Sequence, residues 1–225
     1  MKILAVDTAL GACSAAVLDG ETVLGHAFEP MERGHAERLA PMVQEVMEAS
    51  GTDFGALDRL AVTTGPGTFT GQRVGYAFMR GLRIAIARPL IGVTTLSAMA
   101  HAAMAKTETR AAAVLHDAKR SEVYFTLLVD GKTYVPVQLR SFDDAVTAIA
   151  DAANCIGVRL SVAGTGAQAA SEAFRAQGLD SIAAGIVSPD ALWVARLART
   201  APAPETVPRP LYLRPPDARL PAGAP

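Results

Sequence analysis

Apolar and polar positions divide the first thirty residues into strand-like runs. The run KILAVD at residues 2–7 is apolar between its two ends, which is typical of a buried strand. The segment CSAAVLDGETVLGHAFE predicts two more strands, because Asp19-Gly20 is a strong signal for a two-residue hairpin. We therefore expect the chain to open with a three-stranded antiparallel meander, with Asp7 and Thr8 at its first turn.

A helix-period segment comes next. In GHAERLAPMVQEVMEASG the apolar residues recur with the 3.6-residue period of an α-helix, and Gly51 is a natural stop. Pro41 lacks the backbone N–H that a helix interior needs, so the regular helix is expected to start just before it.

The loop TTGPGTFTGQRVG connects a strand through Leu60 and Val62 to a second helix, predicted from about Gly71 to Arg88. It is not a Walker P-loop, because no Gly-Lys-Ser/Thr closes it. Its glycines allow positive φ in a tight turn, and its backbone N–H groups ahead of a helix could also hold an anion. Glycine spacing alone favours the turn.

The second half of the chain repeats the design of the first. After the strand PLIGV and an alanine-rich helix, the polar run KTETR marks a boundary. Asp130-Gly131 predicts a second hairpin, Ser141 is expected to cap a helix, and Ser188-Pro189 is expected to open the last helix.

This repetition predicts two related α/β domains with a cleft between them. The first domain is expected to span residues 1–105 and the smaller second domain residues 106–200, with the last helix able to return to the first. Residues 201–225 are rich in proline and are expected to form an extended tail, held to the body by the apolar cluster PLYLR.

Composition and charge exclude several classes of protein. Half of the 225 residues are hydrophobic, which suffices for a real core, and the net charge of -1 gives no global basic field for nucleic acid. Cys13 and Cys155 are isolated and show no zinc spacing. No signal peptide is recognisable, and no apolar stretch approaches the roughly 20 residues that span a bilayer. We therefore expect a cytoplasmic protein that does not enter a membrane.

Asp7 and Asp117 end corresponding strands of the two halves. Such positions suit carboxylates beside Mg²⁺ and phosphate, although turns recruit aspartate for structural reasons as well. The four histidines form no HExxH motif and no pair at i, i+4, and His35 at a helix start is more often structural than catalytic. No catalytic residue and no metal site are therefore predicted.

The helix after the loop is apolar around most of its circumference. Its apolar arc spans roughly 220°, about twice the width that one buried face uses. Two explanations remain open. The helix lies sandwiched inside its domain, or its surplus apolar face meets another subunit.

Several segments together identify a family. The stretches ILAVDTALGACSAAVLDG, HAERLAPMV, GPGTFTGQRVG, IGVTTL, HDAKRSEVY and PLYLR occur in the order and spacing of the bacterial TsaB (YeaZ) proteins, which the chain resembles over nearly its whole length. The resemblance implies the actin-like, or sugar-kinase-like, ATPase fold of two related α/β domains, the second smaller.

The resemblance also implies a function. TsaB-like proteins are the non-catalytic, activating partners in a complex that transfers threonylcarbamoyl to N6 of the adenosine next to the anticodon in tRNAs reading A-starting codons. The implied partners are a TsaD-like transferase subunit, a TsaE-like ATPase, and a second copy of the chain when it is alone, with tRNA bound only through the complex. The main alternative is a stand-alone small-molecule kinase or ATPase of the same fold.

Compared with the related catalytic subunit, the chain lacks expected site residues. TsaD-like proteins carry two metal-binding histidines in a Gly-Val-x-His-x-x-x-His segment, where this chain has Thr95 and Met99. The Asp-x-Gly of actin-like ATPases reads Asp117-Ala118-Lys119. The resemblance thus implies no required cofactor, with ATP or ADP bound at most at a subunit interface. The vestigial nucleotide site is expected to comprise Asp7, Thr8, Gly65, Gly67, Asp117, Gly164 and Gly166.

In the family, the helices that start near His35 and Gly71 form the dimerisation surface, which agrees with their broad apolar arcs. The interface residues expected on them are Leu39, Met42, Val43, Val46, Met47, Val74, Gly75, Ala77, Phe78, Gly81, Leu82 and Ala85.

Overall fold

The computed structural model describes residues 1–214, which contain two five-stranded sheets. In the first sheet the spatial order is β3-β2-β1-β4-β5, with β1 antiparallel to β2 and parallel to β4. Its strands are β1 (Lys2–Asp7), β2 (Ala12–Asp19), β3 (Thr22–Pro30), β4 (Arg59–Thr63) and β5 (Leu90–Val93). The predicted three-stranded meander and its hairpin at Asp19-Gly20 are confirmed.

The second sheet repeats the topology of the first. Its order is β10-β9-β6-β7-β8, and its central strand β6 is antiparallel to β7 and parallel to β9. The strands are β6 (Ala111–Asp117), β7 (Glu122–Val129), β8 (Lys132–Ser141), β9 (Leu160–Ala163) and β10 (Ser181–Ala183). The hairpin predicted at Asp130-Gly131 joins β7 to β8, whereas the three-residue strand β10 was too short to give a sequence pattern.

Helices form three layers around the two sheets. They are α1 (His35–Ser50), α2 (Phe69–Ile86), α3 (Thr95–Thr107), α4 (Phe142–Asn154), α5 (Ala167–Ala176) and α6 (Ala191–Thr200), with a short 3-10 turn at Phe54–Ala56. Helices α1 and α2 cover the outer face of the first sheet, and α4 and α5 cover the outer face of the second. Between the sheets, α6 packs on the first, α3 packs on the second, and the two helices contact each other.

Two helix starts differ from the sequence prediction. Helix α1 begins at His35, so Pro41 lies inside the helix rather than within its first turn. The Glu37 carbonyl, which loses its intrahelical donor there, belongs to an exposed turn that water can reach. Helix α6 is capped by Asp190 and not by Ser188, because the Asp190 carboxylate accepts the Leu192 N–H at 2.8 Å.

The segment from Ala201 to Arg214, here called the C-terminal strap, has no helix or strand. It lies against α2 and the end of β4. The Leu211 N–H donates to the Thr64 carbonyl at 2.7 Å, and Arg73 Nε donates to the Tyr212 hydroxyl at 3.2 Å. The expected attachment of this segment to the body is therefore present, while residues 215–225 of the predicted tail lie outside the described residues.

No helix within residues 1–214 is long and apolar enough to cross a membrane.

Two glycines of α2 differ in the space around them, which gives a matched pair for a stability test. A Cβ on Gly71 would lie 2.2 Å from the Thr8 carbonyl oxygen, whereas one on Gly81 would meet nothing within 4 Å. We expect Gly71→Ala to lower the free energy of unfolding by about 1–3 kcal/mol through overpacking. Gly81→Ala should raise it by about 0.5–1 kcal/mol, because alanine favours an exposed helix. Urea unfolding of both variants measures the difference, and equal effects at the two positions would contradict the packing described here.

Candidate functional site

A cleft of about 1130 Å³ opens between the two sheets at the ends of their central strands. One wall is built from the first half of the chain, through the β1–β2 turn, the start of α1 and the start of α2. The other wall is the end of β6 and the segment around Thr165. The cleft is where a two-domain fold of this topology offers space for a ligand.

Asp7 lies beneath the cleft rather than in it. The side chain is fully buried; its Oδ1 accepts the Ala9 N–H at 3.1 Å and the Thr63 hydroxyl, and its Oδ2 has no partner among residues 1–214. The pKa of Asp7 is raised to about 7, chiefly by burial; the hydrogen bonds from Thr63 and Ala9 oppose the rise, and the nearby charge of Asp190 adds to it. The carboxyl group is therefore partly protonated at neutral pH.

The Thr8 side chain forms hydrogen bonds to the backbone of α2. Its hydroxyl donates to the Gly71 carbonyl at 2.7 Å and accepts the Gly75 N–H at 2.9 Å, and both contacts are buried. One threonine side chain thus joins the end of β1 to two successive turns of α2. These two hydrogen bonds to α2 explain why a threonine is present at position 8, and no ligand is needed to explain it.

The loop before α2 presses against the β1–β2 turn. Gly65 has a φ of 100°, and a Cβ on Gly67 would lie 2.4 Å from the Ala9 carbonyl oxygen. Thr68 caps the helix by accepting the Gly71 N–H at 3.1 Å. Close packing therefore explains the glycines of this loop, although Gly67 and Thr68 also line the cleft.

On the opposite wall, Asp117 ends β6 and is held within its own turn. Its Oδ1 accepts the Lys119 N–H at 2.8 Å, and its Oδ2 lies 3.2 Å from Lys119 Nζ. These contacts hold the pKa of Asp117 below its usual range, with the backbone hydrogen bond as the largest cause. Asp7 and Asp117 do not face each other across the cleft as a carboxylate pair, because Asp7 is wholly buried.

The turn after Asp117 has an unusual backbone. Lys119, Arg120 and Ser121 have φ values of 65°, 57° and 61°, so three successive residues with side chains adopt the left-handed conformation. Each such residue costs on the order of 1 kcal/mol, and the cost must be offset by contacts of the turn. Lys119, which stands at the glycine position of the Asp-x-Gly motif, is the first of these three residues, whereas Ala118 at the middle position has no positive φ.

Gly164 and Gly166 allow α5 to start close to β6. Gly164 has a φ of 98°, and a Cβ there would lie 2.0 Å from the Leu115 carbonyl oxygen. The Gly166 N–H donates to that same oxygen at 3.0 Å. Thr165 between them lines the cleft, and its hydroxyl accepts the Asp117 N–H at 2.8 Å. The predicted glycines thus shape the wall, and the residue between them faces the space.

Sequence reasoning missed His116 as a cleft residue. The side chain is 8% exposed, lines the cleft, and has no partner for Nδ1 among the described residues. Burial lowers the pKa of His116 to about 4, so the ring is neutral at pH 7. The available signal was its place directly before Asp117 at the end of a predicted strand. His35 also lines the cleft, and its Nε2 lies 3.0 Å from the Leu10 carbonyl oxygen.

The cleft suits a small anionic ligand better than a metal ion. The N-terminal turns of α1 and α2 both line it, and helix N-termini attract negative charge. Arg33 and Lys119 add positive charge, although three carboxylates, Glu32, Glu37 and Asp117, line the same cleft. Within residues 1–214, no three His, Cys, Asp or Glu side chains are grouped so that they could hold a metal ion.

The outer helices correct part of the predicted interface. Five predicted residues of α1 are at most 3% exposed and pack on the first sheet, so they belong to the core and the prediction is wrong for them: Leu39, Met42, Val43, Val46 and Met47. The first sheet and α2 together cover the apolar face of α1, and periodicity alone could not separate core from interface. Gly75 is likewise buried, against Thr8.

Helix α2 keeps an uncovered apolar stripe. Of its predicted interface residues, Ala77, Gly81 and Ala85 are exposed, and Ile84 beside them is 72% exposed. The others, Val74, Phe78 and Leu82, are partly buried between α1 and α2. The stripe, defined as Ala77, Gly81, Ile84 and Ala85, is the second candidate site.

Comparisons with known proteins agree on one family. A model of the TsaD family, described as tRNA N6-adenosine threonylcarbamoyltransferase, matches residues 25–188. The tRNA threonylcarbamoyladenosine biosynthesis protein TsaB of Escherichia coli K12 is 42% identical over 125 residues, which are 56% of this chain and 54% of that protein. The chain thus spans about half the length of this curated relative. An uncharacterised protein of Mycobacterium tuberculosis H37Rv is 35% identical over 219 residues, 96% of this chain and 93% of that protein.

Solved structures give the same result for the fold. A Pseudomonas aeruginosa protein described as similar to peptidase YEAZ has a TM-score of 0.73 and 26% identity, with 95% of this chain and 99% of that chain covered. The ROK hexokinase of Thermus thermophilus has a TM-score of 0.52 at 16% identity, with 88% and 98% covered, and supports the sugar-kinase-like fold alone.

The buried carboxyl group of Asp7 predicts a pH dependence. Its folded-state pKa of about 7 exceeds the ordinary value of 3.8, so the folded chain keeps a proton that the unfolded chain releases. The contribution of Asp7 to stability is therefore full below about pH 4 and falls by up to about 4 kcal/mol as the pH rises to about 7. Asp7→Asn should gain stability relative to wild type across this range, as measured by urea unfolding. The exposed Asp53→Asn serves as control, and parallel pH profiles for Asp7→Asn and wild type would refute the assignment.

Proposed function

The chain belongs to the TsaD-like family, in its TsaB (YeaZ) branch, and from this premise we propose that it is a scaffold or activating subunit of a threonylcarbamoyltransferase complex. The complex would be cytoplasmic and would modify N6 of the adenosine next to the anticodon in tRNAs that read A-starting codons. In this proposal the chain itself is not the catalyst.

The observation that carries the proposal is the uncovered stripe of α2. Ile84 is 72% exposed among small residues, and a stripe of this composition suits a helix from a second subunit. Gly81 and Ala77 permit a close approach, near the low end of the 8–10 Å spacing of packed helices. We propose a TsaD-like transferase subunit as the partner on this stripe, and a second copy of the chain when the transferase is absent.

The residues at the former catalytic positions support a non-catalytic role. The Thr95 and Met99 side chains are both fully buried. Met99 belongs to the core that α3 forms with the second sheet. A threonine hydroxyl and a thioether are poor substitutes for the two histidine ligands of the transferase. We propose that the chain requires no cofactor of its own.

The same cleft geometry makes a stand-alone kinase or ATPase the weaker candidate. Asp7 is buried below the cleft floor, and Asp117 is already occupied by the backbone and side chain of Lys119. Asp7 is therefore out of reach of a ligand in the cleft, and Asp117 would have to give up its contacts with Lys119 to position Mg²⁺. We propose that ATP or ADP binds at most weakly in the cleft or at a subunit interface, that a TsaE-like ATPase joins the complex, and that tRNA is held through the complex.

A reconstitution experiment tests the proposed function. The purified chain, a TsaD-like subunit and a TsaE-like ATPase are assayed singly and together for threonylcarbamoyl transfer from the adenylate to tRNA. We expect no transfer by this chain alone, little by the transferase alone, and full transfer by the mixture. Transfer by this chain alone would overturn the non-catalytic role, and a transferase that works equally well without it would overturn the activating role.

A substitution on the stripe tests the interface. Ala77→Arg places a long cation where the partner helix is proposed to lie, and burying that charge costs several kcal/mol, or more than about a hundredfold in association. The variant should stay folded by circular dichroism, lose association by light scattering, and fail to support the transferase.

Ala169→Arg is the matched control, because Ala169 is an exposed alanine on α5 of the second half. It should associate and activate like wild type. If Ala77→Arg associates as tightly as Ala169→Arg, the interface lies elsewhere. Gly75→Arg is unsuitable as a test, since Gly75 is buried against Thr8 and the variant would unfold.

A further inference from the structure

The C-terminal strap is anchored to the first half of the chain at several points. Besides the contacts of Leu211 and Tyr212, the Tyr76 hydroxyl donates to the Pro208 carbonyl. Gly92 of β5 lies so close to Pro208 that a Cβ there would be 2.6 Å from the proline Cβ. The strap is thus packed into the edge of the first sheet, and its path is defined by backbone contacts as well as side chains.

The far end of the strap reaches the second half. Arg214 Nη1 donates to the Ala118 carbonyl at 3.2 Å, and Arg214 Nη2 forms an ion pair with Glu122. The Arg214 and Glu122 side chains are 23% and 37% exposed, so the pair is partly shielded from water. A hydrogen bond that involves a charged group in such a place is stronger than one between exposed neutral groups.

The segment that Arg214 holds is part of the cleft wall. Ala118 and Glu122 are the two ends of the β6–β7 turn, and the Ala118 N–H donates to the Glu122 carbonyl at 2.9 Å. Between them lie the three left-handed residues, and Lys119 of the same turn lines the cleft. Arg214 therefore binds both ends of the strained β6–β7 turn, at the point where the second half of the chain faces the first.

We propose that the C-terminal strap is a clasp that ties the second half of the chain to the first and sets the opening of the cleft. Arg214 is its positioning residue, because it acts on the cleft through the β6–β7 turn and touches no ligand itself. The strap leaves the first half at Pro208 and Leu211 and ends on the second half within a few residues, so little slack separates the two attachments. Release of Arg214 frees the turn and lets the two walls move apart. This inference is independent of the proposed function.

Distance measurements across the cleft test the clasp. In the full chain with Cys155→Ser, spin labels are attached to Glu32→Cys on one rim and Ala169→Cys on α5, since Cys13 is buried and does not react. Double electron–electron resonance then compares wild type, Arg214→Ala and Glu122→Gln. Arg209→Ala is the matched control, because Arg209 is an exposed arginine of the same strap.

We expect Arg214→Ala and Glu122→Gln to shift the label distance upward and broaden its distribution, while Arg209→Ala matches wild type. Amide exchange at residues 119–123 should be about tenfold faster in both variants, the effect of losing one charged hydrogen bond. The double variant should resemble Arg214→Ala alone, because the two side chains act as one unit.

Two outcomes overturn the clasp. One is a distance distribution for Arg214→Ala that coincides with that of Arg209→Ala. The other is faster amide exchange without any change in distance, which would make the strap a brace for the turn only. Glu122→Gln leaves every strap residue intact, so it decides the matter if Arg214→Ala fails to fold by circular dichroism.

Discussion

The close approach between the β1–β2 turn and the start of α2 determines the arrangement of the first half. Backbone atoms meet there without side chains between them: the Thr68 N–H donates to the Ala9 carbonyl at 2.9 Å, and Gly67 and Gly71 leave room for no Cβ. Thr8 then ties its hydroxyl to two turns of the helix. Because α2 is fixed so tightly at its N-terminus, its rotation about its axis is fixed too. That rotation decides which of its residues face the sheet and which remain uncovered.

The fold was readable from the sequence where local signals agree with burial. Apolar runs, two Asp-Gly hairpins and the repeated pattern of the halves predicted both sheets, and the structure has them in matching topology. The errors arose where two local signals compete or where an element is very short. Asp190 outcompetes Ser188 as a cap, and β10 has only three residues. Neither outcome follows from periodicity.

The candidate site was less predictable, because a hydrophobic pattern reports that a residue is covered and not what covers it. Leu39 and its neighbours on α1 have the apolar pattern expected of an interface, yet the sheet covers them. Asp7 and Thr8 stand at positions typical of a phosphate site, yet one is buried and the other holds a helix. Burial, close approach to a carbonyl and hydrogen-bond partners depend on residues distant in the chain: Asp7 and Thr63 are 56 positions apart, and Thr8 and Gly71 are 63 apart. Single-sequence reasoning has no access to those pairs.

The loss of glycine from the Asp-x-Gly motif shows how the two walls of the cleft differ. Lys119 stands at the glycine position with a φ of 65°, so the substitution itself places a side chain in the left-handed region, and Arg120 and Ser121 continue in that conformation. On the first wall, and around Thr165 on the second, strained or crowded positions are filled by glycines. In the β6–β7 turn of the second wall the left-handed positions are filled by residues with side chains, so this turn depends on contacts from outside itself. Arg214 supplies two of them from the far end of the chain. Because the second wall depends on these contacts with the C-terminal strap, the strap can control the position of that wall.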